Sequence, residues 1–171
     1  MKINNTPIAN DERLTIFGGV NVIESDDLLF QVADKFKSVA EKYKFSYVFK
    51  ASFDKANRSS LDSFRGPGLE KGLESLRKVK EKFDVPLITD IHEPNQAEVV
   101  AEVCDIIQIP AFLCRQTDLI VAAAKTKKII NIKKPQFSSA KEMFHAVNKC
   151  DKAVNSDVIL CERGNIDNFF C

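Results

Sequence analysis

The regular alternation of short apolar runs with helical patterns is the feature that most constrains this chain. Six runs rich in valine, isoleucine and phenylalanine are predicted as strands, and they span residues 15–23, 47–53, 85–91, 106–111, 129–134 and 157–163. Segments whose apolar residues recur at helical spacing separate these runs. Because no hairpin signal occurs in the middle of the chain, we predict parallel strands that are joined by right-handed crossovers.

Capping signals predict where several helices begin. Ser25 precedes Asp26 and Asp27, a typical N-cap followed by carboxylates in the first turn. Thr117 is predicted to cap a helix over residues 119–124. Residues 139–142 (SAKE) have the spacing of a capping box and predict the start of a fifth helix.

Two architectures fit this alternation, a doubly wound open sheet and an eight-fold β/α barrel. No G-x-G-x-x-G motif follows the first run, which weakens the dinucleotide-binding version of the open sheet. Polar residues end nearly every predicted strand, and they are Asn21, Lys50, Asp90, Gln108, Lys133 and Arg163. In a barrel these ends meet at one mouth, where the active site lies, so the pattern favours the barrel.

Length sets how much of such a barrel is present. A complete barrel has about 250 residues and eight strands, whereas this chain has 171 residues and six predicted strands. The predicted fold class is therefore α/β of the (β/α)8 TIM-barrel family, as an incomplete barrel of about six βα units. Residues 1–171 are predicted to form one partial barrel domain, in which residues 1–13 form an N-terminal hairpin that caps the bottom.

Composition excludes several classes of partner. The net charge is +1, so no overall field favours nucleic acid or an anionic membrane. No apolar run reaches the roughly 20 residues of a membrane span, and the N-terminus lacks the apolar core of a signal peptide. The sequence therefore predicts a cytoplasmic protein. Its five cysteines show no C-x-x-C spacing and are predicted to be buried as small apolar residues.

The densest group of chemically active residues lies in the segment 49–60, FKASFDKANRSS. This segment contains Lys50, Ser52, Lys55, Asn57, Arg58 and Ser59. Lysine and arginine suit phosphate or carboxylate, and serine and asparagine add neutral donors. An ordinary solvated loop is the alternative, but a charge on Lys50 inside an apolar strand would be costly without a partner. We therefore predict an anion site.

Other strand ends repeat this chemistry. Lys133 and Lys134 point to opposite sides of one strand end, and Lys133 is predicted to face the mouth. Asp90 shares its side of the strand with His92, and the pair could do acid–base work or bind sugar hydroxyls, although a structural hydrogen-bonding role for His92 stays open. The remaining candidates are Gln108, Arg163, Phe112 and Arg115, the last two of which could equally be surface residues at a helix start. So many cationic residues predict a substrate with several anionic groups, plausibly two phosphorylated molecules.

Seven motifs together resemble one family of enzymes. They are FGGVNVIES, YVFKASFDKANRSS, RGPGLEKGL, ITDIHEP, IIQIPAFLCRQTDL, NIKKPQF and VILCERG, and they cover about residues 10–164 in order. The pattern is similar to that of the 3-deoxy-manno-octulosonate-8-phosphate synthases (2-dehydro-3-deoxyphosphooctonate aldolases). The KANRSS motif separates this family from its sister, the seven-carbon aldulosonate synthases of the shikimate pathway, which carry a KPRTS-like loop there.

The resemblance implies a function and a set of roles. Members are homotetrameric β/α barrels that condense phosphoenolpyruvate with arabinose 5-phosphate and water, a step of lipopolysaccharide and carbohydrate biosynthesis. By resemblance, Lys50, Ser52 and Gln108 hold the phosphoenolpyruvate carboxylate, whereas Lys55, Lys133 and Arg163 hold its phosphate. Lys133 would also move a proton. Asn57, Arg58 and Ser59 resemble the clamp for arabinose 5-phosphate, Asp90 contacts the sugar near its reacting carbon, and Phe112 and Arg115 reach a neighbouring subunit's site.

The resemblance also bears on metal use and on the end of the chain. Asn21 stands where metal-dependent members carry cysteine, which implies the metal-independent type with no cofactor. After CERG the family continues with a Phe-Gly-Tyr-Asn-like run and two more βα units, and residues 165–171 depart from that run. The alternative interpretation is therefore a catalytically inactive truncated remnant, or a partner that docks with the full-length synthase.

Overall fold

The computed structural model describes residues 1–3 and 6–165 in two compact units. Of these, the first unit contains the described residues up to Asp90 together with Glu102–Asp105, and the second contains Ile91–Ala101 together with residues 106–165.

The first unit contains three parallel strands and two long helices. Its elements in chain order are β1 (Lys2–Ile3), β2 (Thr6–Pro7), β3 (Thr15–Gly19), α1 (Asp26–Tyr43), β4 (Ser46–Lys50), α2 (Leu69–Phe83) and β5 (Leu87–Asp90). Strand β4 pairs in parallel with β3 on one side and with β5 on the other. Strands β1 and β2 pair antiparallel, as in the predicted hairpin, whose place at the bottom of a barrel stays a prediction.

The second unit repeats the pattern with three further parallel strands. Its elements are α3 (Gln96–Ala101), β6 (Ile106–Ile109), a 3₁₀ turn (Ala111–Leu113), α4 (Thr117–Lys125), β7 (Ile129–Lys133), a 3₁₀ turn (Ala140–Met143), α5 (Phe144–Lys152) and β8 (Val158–Cys161). Strand β7 lies between β6 and β8, and Lys133 is paired in register with Cys161. The predicted α/β class with parallel strands is thus confirmed within each unit.

The six parallel strands are shorter than the apolar runs that predicted them, and all of them end earlier. Strand β4 ends at Lys50, yet Ser52 and Phe53 beyond it are almost completely buried. The Phe53 carbonyl accepts a hydrogen bond from Gly68 of the following loop, and Ser52 accepts one from Ile23. An apolar run therefore marks burial, while strand pairing stops where loops take over the backbone hydrogen bonds.

Two of the predicted helix caps are confirmed and one is wrong. The Ser25 hydroxyl accepts from the Leu28 backbone N–H at 3.2 Å, and Ser139 forms the predicted capping box with Glu142 at the 3₁₀ turn before α5. Helix α4 begins at Thr117 itself, and its N-cap Gln116 makes no side-chain cap hydrogen bond. Polar residues that follow one another at a helix start explain this one-residue error.

The predicted burial of the cysteines is confirmed for three of them. Cys104, Cys114 and Cys150 are free and buried, and Cys161 is free and half-buried. Cys171 lies outside the described residues. Within residues 1–3 and 6–165, no helix has the length and apolar character that crossing a bilayer requires.

Gly72 is a contact point between α2 and the segment that follows β4. A Cβ atom on Gly72 would lie 2.3 Å from the Phe53 Cβ, and Phe53 is only 1% exposed. We expect Gly72→Ala to lower the free energy of unfolding by about 1–2 kcal/mol, because the overpacking exceeds the gain in helix propensity. Urea unfolding measures this change. Lys71→Ala, at an exposed position of α2, is the control, and a more stable Gly72→Ala protein would contradict the expectation.

Candidate active site

A cluster of four polar side chains lies at the carboxyl ends of β4 and β5 in the first unit. The Ser52 hydroxyl accepts hydrogen bonds from Lys50 Nζ at 3.1 Å and from Lys55 Nζ at 2.8 Å. The same hydroxyl donates to Asp90 Oδ1 in a short hydrogen bond. Each ammonium group also lies 3.8 Å from an oxygen of the Asp90 carboxylate. Ser52 is therefore the centre of the cluster.

Burial makes the electrostatics of this cluster strong. Asp90 has 6% of its side chain exposed, and Lys50 and Lys55 have 19% and 15%. Both ammonium groups therefore lie beside the same carboxylate in a place with little access to solvent. A unit charge pair about 4 Å apart near a protein surface attracts by about 4 kcal/mol before desolvation. Ammonium and hydroxyl donors grouped in this way have the chemistry that suits a phosphate or a carboxylate.

Backbone hydrogen bonds hold the segment that carries these side chains. The Lys50 carbonyl accepts from Val20, and the Ala51 N–H donates to Ile88 on the other side. Gly19 permits the close approach of β3, because a Cβ there would lie 2.0 Å from the Lys50 oxygen. Neighbouring strands on both sides therefore fix the direction in which Lys50 and Ser52 point.

The loop after this segment is closed at its base and exposed at its tip. The Lys55 N–H donates to the Arg65 carbonyl at 2.8 Å. The Arg65 guanidinium donates hydrogen bonds to both carboxylate oxygens of Asp54, at 2.8 and 2.5 Å. This bidentate pair raises the pKa of Arg65, through the hydrogen bond first and the charge of Asp54 second. These contacts fix the two ends of the loop, while the tip between them lies in solvent and does not pack against the core.

Three predicted clamp residues lie in that exposed tip. Asn57, Arg58 and Ser59 are all exposed, and Arg58 Nε donates to the Phe64 carbonyl at 3.1 Å. They lie in the same loop as Lys55, but they are not part of the hydrogen-bonded cluster around Ser52. Asn21 is exposed in the turn after β3, beyond the strand that was predicted to carry it.

In the second unit, the predicted residues also follow strand ends. Gln108 belongs to β6 and is 4% exposed, and half-buried Lys133 is the last residue of β7. Arg163 lies beyond the end of β8, is exposed, and donates from Nη1 to Gln136 Oε1 at 3.2 Å. Lys133 at the end of β7 and Arg163 just beyond the end of β8 thus follow two paired strands.

The remaining candidates lie in loops of the same unit. Phe112, in the 3₁₀ turn after β6, is 62% exposed, and the Arg115 carbonyl accepts a hydrogen bond from Lys149 at 2.9 Å. The His92 backbone N–H donates to Gln96 Oε1 at 2.7 Å. This hydrogen bond involves only the backbone of His92, so both interpretations of its side chain stay predictions.

Sequence reasoning missed residues that shape both sets. Arg65 and Asp54 close the loop of the first unit, and Gln136 contacts Arg163 in the second. Lys134 was expected only to point away from Lys133, but it is enclosed by oxygen atoms and 2% exposed. For Lys134, the sequence offered one indication of a special environment, which is its place directly before proline at the end of a buried strand.

The donor set of the first unit favours anions over metal ions. Ammonium groups repel cations, and the single carboxylate is already flanked by two of them. Within the described residues, no group of three or more histidine, cysteine, aspartate and glutamate side chains could hold a metal ion. Fixed ammonium groups stabilise negative charge on a bound phosphate or carboxylate, and also charge that develops there during a reaction.

Comparison with known proteins gives a consistent result. Residues 1–167 match the DAHP synthetase I family. A 2-dehydro-3-deoxyphosphooctonate aldolase of Pseudomonas syringae pv. syringae is 58% identical over 165 residues, which cover 96% of this chain and 59% of that protein. The enzyme of that name from Marinobacter nauticus is 59% identical, with 96% and 58% covered, and the one from Pseudomonas syringae pv. tomato is 61% identical, with 92% and 56% covered. The chain thus spans about three fifths of the length of these curated relatives.

Proposed function

Since this chain belongs to the DAHP synthetase I family, we propose that it acts in the condensation of phosphoenolpyruvate with arabinose 5-phosphate and water. The products are 3-deoxy-D-manno-octulosonate 8-phosphate and inorganic phosphate. Its parallel strands alternating with helices are consistent with an incomplete (β/α) barrel of this family. Relatives that share about three fifths of its residues carry the name of this activity.

The observation that carries the proposal is the cluster around Ser52. Phosphoenolpyruvate presents a carboxylate and a phosphate on adjacent atoms, and it therefore requires several donors within a small volume. Lys50 and Lys55 converge on one hydroxyl, and their common neighbour Asp90 is nearly buried. The two ammonium groups and the hydroxyl of this cluster support an anionic substrate.

Each residue has a role in this proposal. Lys50, Ser52 and Gln108 hold the carboxylate of phosphoenolpyruvate, and Lys55, Lys133 and Arg163 hold its phosphate. Ser52 already donates its proton to Asp90, so donation to a substrate carboxylate requires that proton to turn away from Asp90. Asp90 is then able to accept a hydrogen bond from a hydroxyl of the sugar, so that binding of one substrate prepares the site for the other.

The second substrate is placed at the exposed loop. Asn57, Arg58 and Ser59 supply an amide, a guanidinium and a hydroxyl for the phosphate of arabinose 5-phosphate, and the guanidinium suits a planar bidentate contact. The sugar aldehyde gains negative charge when the new carbon–carbon bond forms. Lys133 is proposed to supply the proton that neutralises this charge.

The proposal extends to assembly, cofactors and location. Phe112, with 62% of its surface exposed, and Arg115 are proposed to reach the site of a neighbouring subunit in a homotetramer. Asn21 supplies no soft ligand, and we propose catalysis without a metal ion or cofactor. Biosynthetic substrates of this kind place the protein in the cytoplasm, with neither nucleic acid nor membrane as a partner.

Phosphate release tests the proposed reaction. The purified protein is incubated with phosphoenolpyruvate alone, with added arabinose 5-phosphate, and with erythrose 4-phosphate as the shorter acceptor. We expect inorganic phosphate and an eight-carbon product only with arabinose 5-phosphate. Release that depends on the shorter acceptor would contradict the assigned sugar. Binding of phosphoenolpyruvate without any release would contradict the activity and leave the inactive alternative.

A further inference from the structure

Lys134 follows the last residue of β7 and has a different environment from that of its neighbour Lys133. Its side chain is 2% exposed, whereas Lys133 is half-buried. Five oxygen atoms lie within 3.3 Å of Lys134 Nζ, namely the carbonyls of Pro135 (3.1 Å), Ser138 (3.0 Å) and Gly164 (2.8 Å), Asn165 Oδ1 (2.9 Å) and Glu162 Oε1 (3.3 Å). An ammonium group has three donors, so these oxygens use all of its capacity and leave none for a ligand.

These oxygens come from two loops that lie at the ends of adjacent strands. Pro135 and Ser138 belong to the loop after β7, and Glu162 and Gly164 belong to the turn after β8. The backbone continues this connection, because the Lys134 N–H donates to the Cys161 carbonyl at 2.9 Å. Lys134 therefore ties the two loops to each other.

The turn after β8 depends on the carboxylate of Glu162. Glu162 Oε1 accepts from the backbone N–H groups of Arg163 and Gly164, both at 2.8 Å, and Lys134 lies 3.3 Å from the same oxygen. Burial acts to raise the pKa of Glu162, but the backbone hydrogen bonds and Lys134 outweigh it and lower this pKa. The Glu162 carboxylate thus binds the backbone of Arg163, and Lys134 stabilises that carboxylate.

The loop after β7 holds the other end of Arg163. Gln136 lies between Pro135 and Ser138, whose carbonyls are bound by Lys134. Gln136 Oε1 accepts from Arg163 Nη1 at 3.2 Å. Lys134 therefore fixes both the backbone from which the Arg163 side chain starts and the loop against which the guanidinium rests.

We propose that Lys134 is a positioning residue that aims the guanidinium of Arg163 at the phosphate of phosphoenolpyruvate. The proposal rests on the proposed function, because it takes Arg163 as a phosphate ligand. Burying an ammonium group is costly, and an apolar side chain of similar volume often serves stability equally well. A lysine is explained here by the oxygen atoms of the two loops, because one ammonium group that binds oxygens from both loops fixes the distance between the loops.

A double-mutant cycle with Arg163 tests the proposal. We expect Lys134→Met to weaken phosphoenolpyruvate binding by about tenfold when Arg163 is present, but by less than about twofold in an Arg163→Ala background. Calorimetric titration with phosphoenolpyruvate measures all four proteins. Lys152→Met, at an exposed position in the last turn of α5, is the matched control and should leave affinity unchanged. An equal loss in both backgrounds, or no loss in either, would overturn the proposal.

A second variant covers the case in which Lys134→Met does not fold. Glu162→Ala changes a side chain that is 61% exposed and removes the acceptor that holds the Arg163 backbone. We expect it to give the same dependence on Arg163, and additive losses would count against the proposal.

Hydrogen exchange separates this proposal from the proposed function. The backbone amides of Arg163 and Gly164 should exchange about tenfold faster in Lys134→Met, while amides in α5 keep their rates. If the unaltered protein binds no phosphoenolpyruvate, the proposed function fails, and exchange alone then decides whether Lys134 fixes this turn. Unchanged exchange at both amides would reject the positioning role in either case.

Discussion

Lys133→Ala is expected to lower the rate of phosphate release from phosphoenolpyruvate and arabinose 5-phosphate by about 10²–10³-fold. Lys133 ends β7 and is half-buried, and in the proposed mechanism its ammonium group holds a phosphate and supplies a proton. Alanine removes the two contributions together. Steady-state assays over a range of both substrates would show a loss in kcat that is larger than the change in KM.

Lys128→Ala is the matched control for this variant. Lys128 directly precedes β7 and lies at the opposite end of the same strand, so that its removal should leave turnover near that of the unaltered protein. Lys133→Arg keeps the charge but alters the geometry and the acidity, and should recover substrate affinity better than turnover. If Lys133→Ala keeps activity within about an order of magnitude, Lys133 has no part in the mechanism.

Asp90→Asn is expected to lower the free energy of unfolding by about 2–3 kcal/mol. It leaves the ammonium groups of Lys50 and Lys55 without the carboxylate that lies 3.8 Å from each. Breaking a fully buried pair costs about 3–5 kcal/mol, and the partial exposure of both lysines reduces this figure. Urea unfolding at neutral pH measures the loss, and Asp34→Asn at an exposed position of α1 is the control.

Two additions make the origin of this loss testable. Inorganic phosphate should stabilise Asp90→Asn more than it stabilises the unaltered protein, because the bound anion replaces the missing negative charge. The double variant Asp90→Asn with Lys50→Met should be more stable than Asp90→Asn alone, because one of the two ammonium groups that lost the Asp90 carboxylate is gone. A destabilisation that responds to neither change would show that Asp90 acts through packing.

The sequence was sufficient for features that depend on local patterns. Burial in strands, helix starts at Ser25 and Ser139, and the parallel arrangement all follow from residues that are close in the chain. Lys50 was also recognisable, because a charge at the end of an apolar strand requires a partner. Asp90, which contacts Ser52 in the same cluster, is 38 positions from Ser52 along the chain. No local sequence pattern predicts that contact.

Lys134 shows why the rest could not be predicted. Alternation along a strand indicates that Lys134 and Lys133 point to opposite sides, but it does not indicate what lies on either side. The oxygens around Lys134 come from carbonyls and side chains up to 31 residues away. Their convergence depends on how the ends of β7 and β8 pack, and any residue type would supply the same carbonyls.

The closed base of the loop between Lys55 and Arg65 has a consequence for divergence among related enzymes. The Lys55–Arg65 backbone hydrogen bond and the Asp54–Arg65 pair insulate the tip from the strands, and the cost of closing a loop rises only slowly with its length. Insertions and substitutions at residues 56–64 should therefore lower the free energy of unfolding only slightly. If residues 57–59 bind the acceptor sugar as proposed, its identity can change through this segment without a change at Lys50 or Ser52. Exchanging the segment between relatives is then a direct route to a new acceptor.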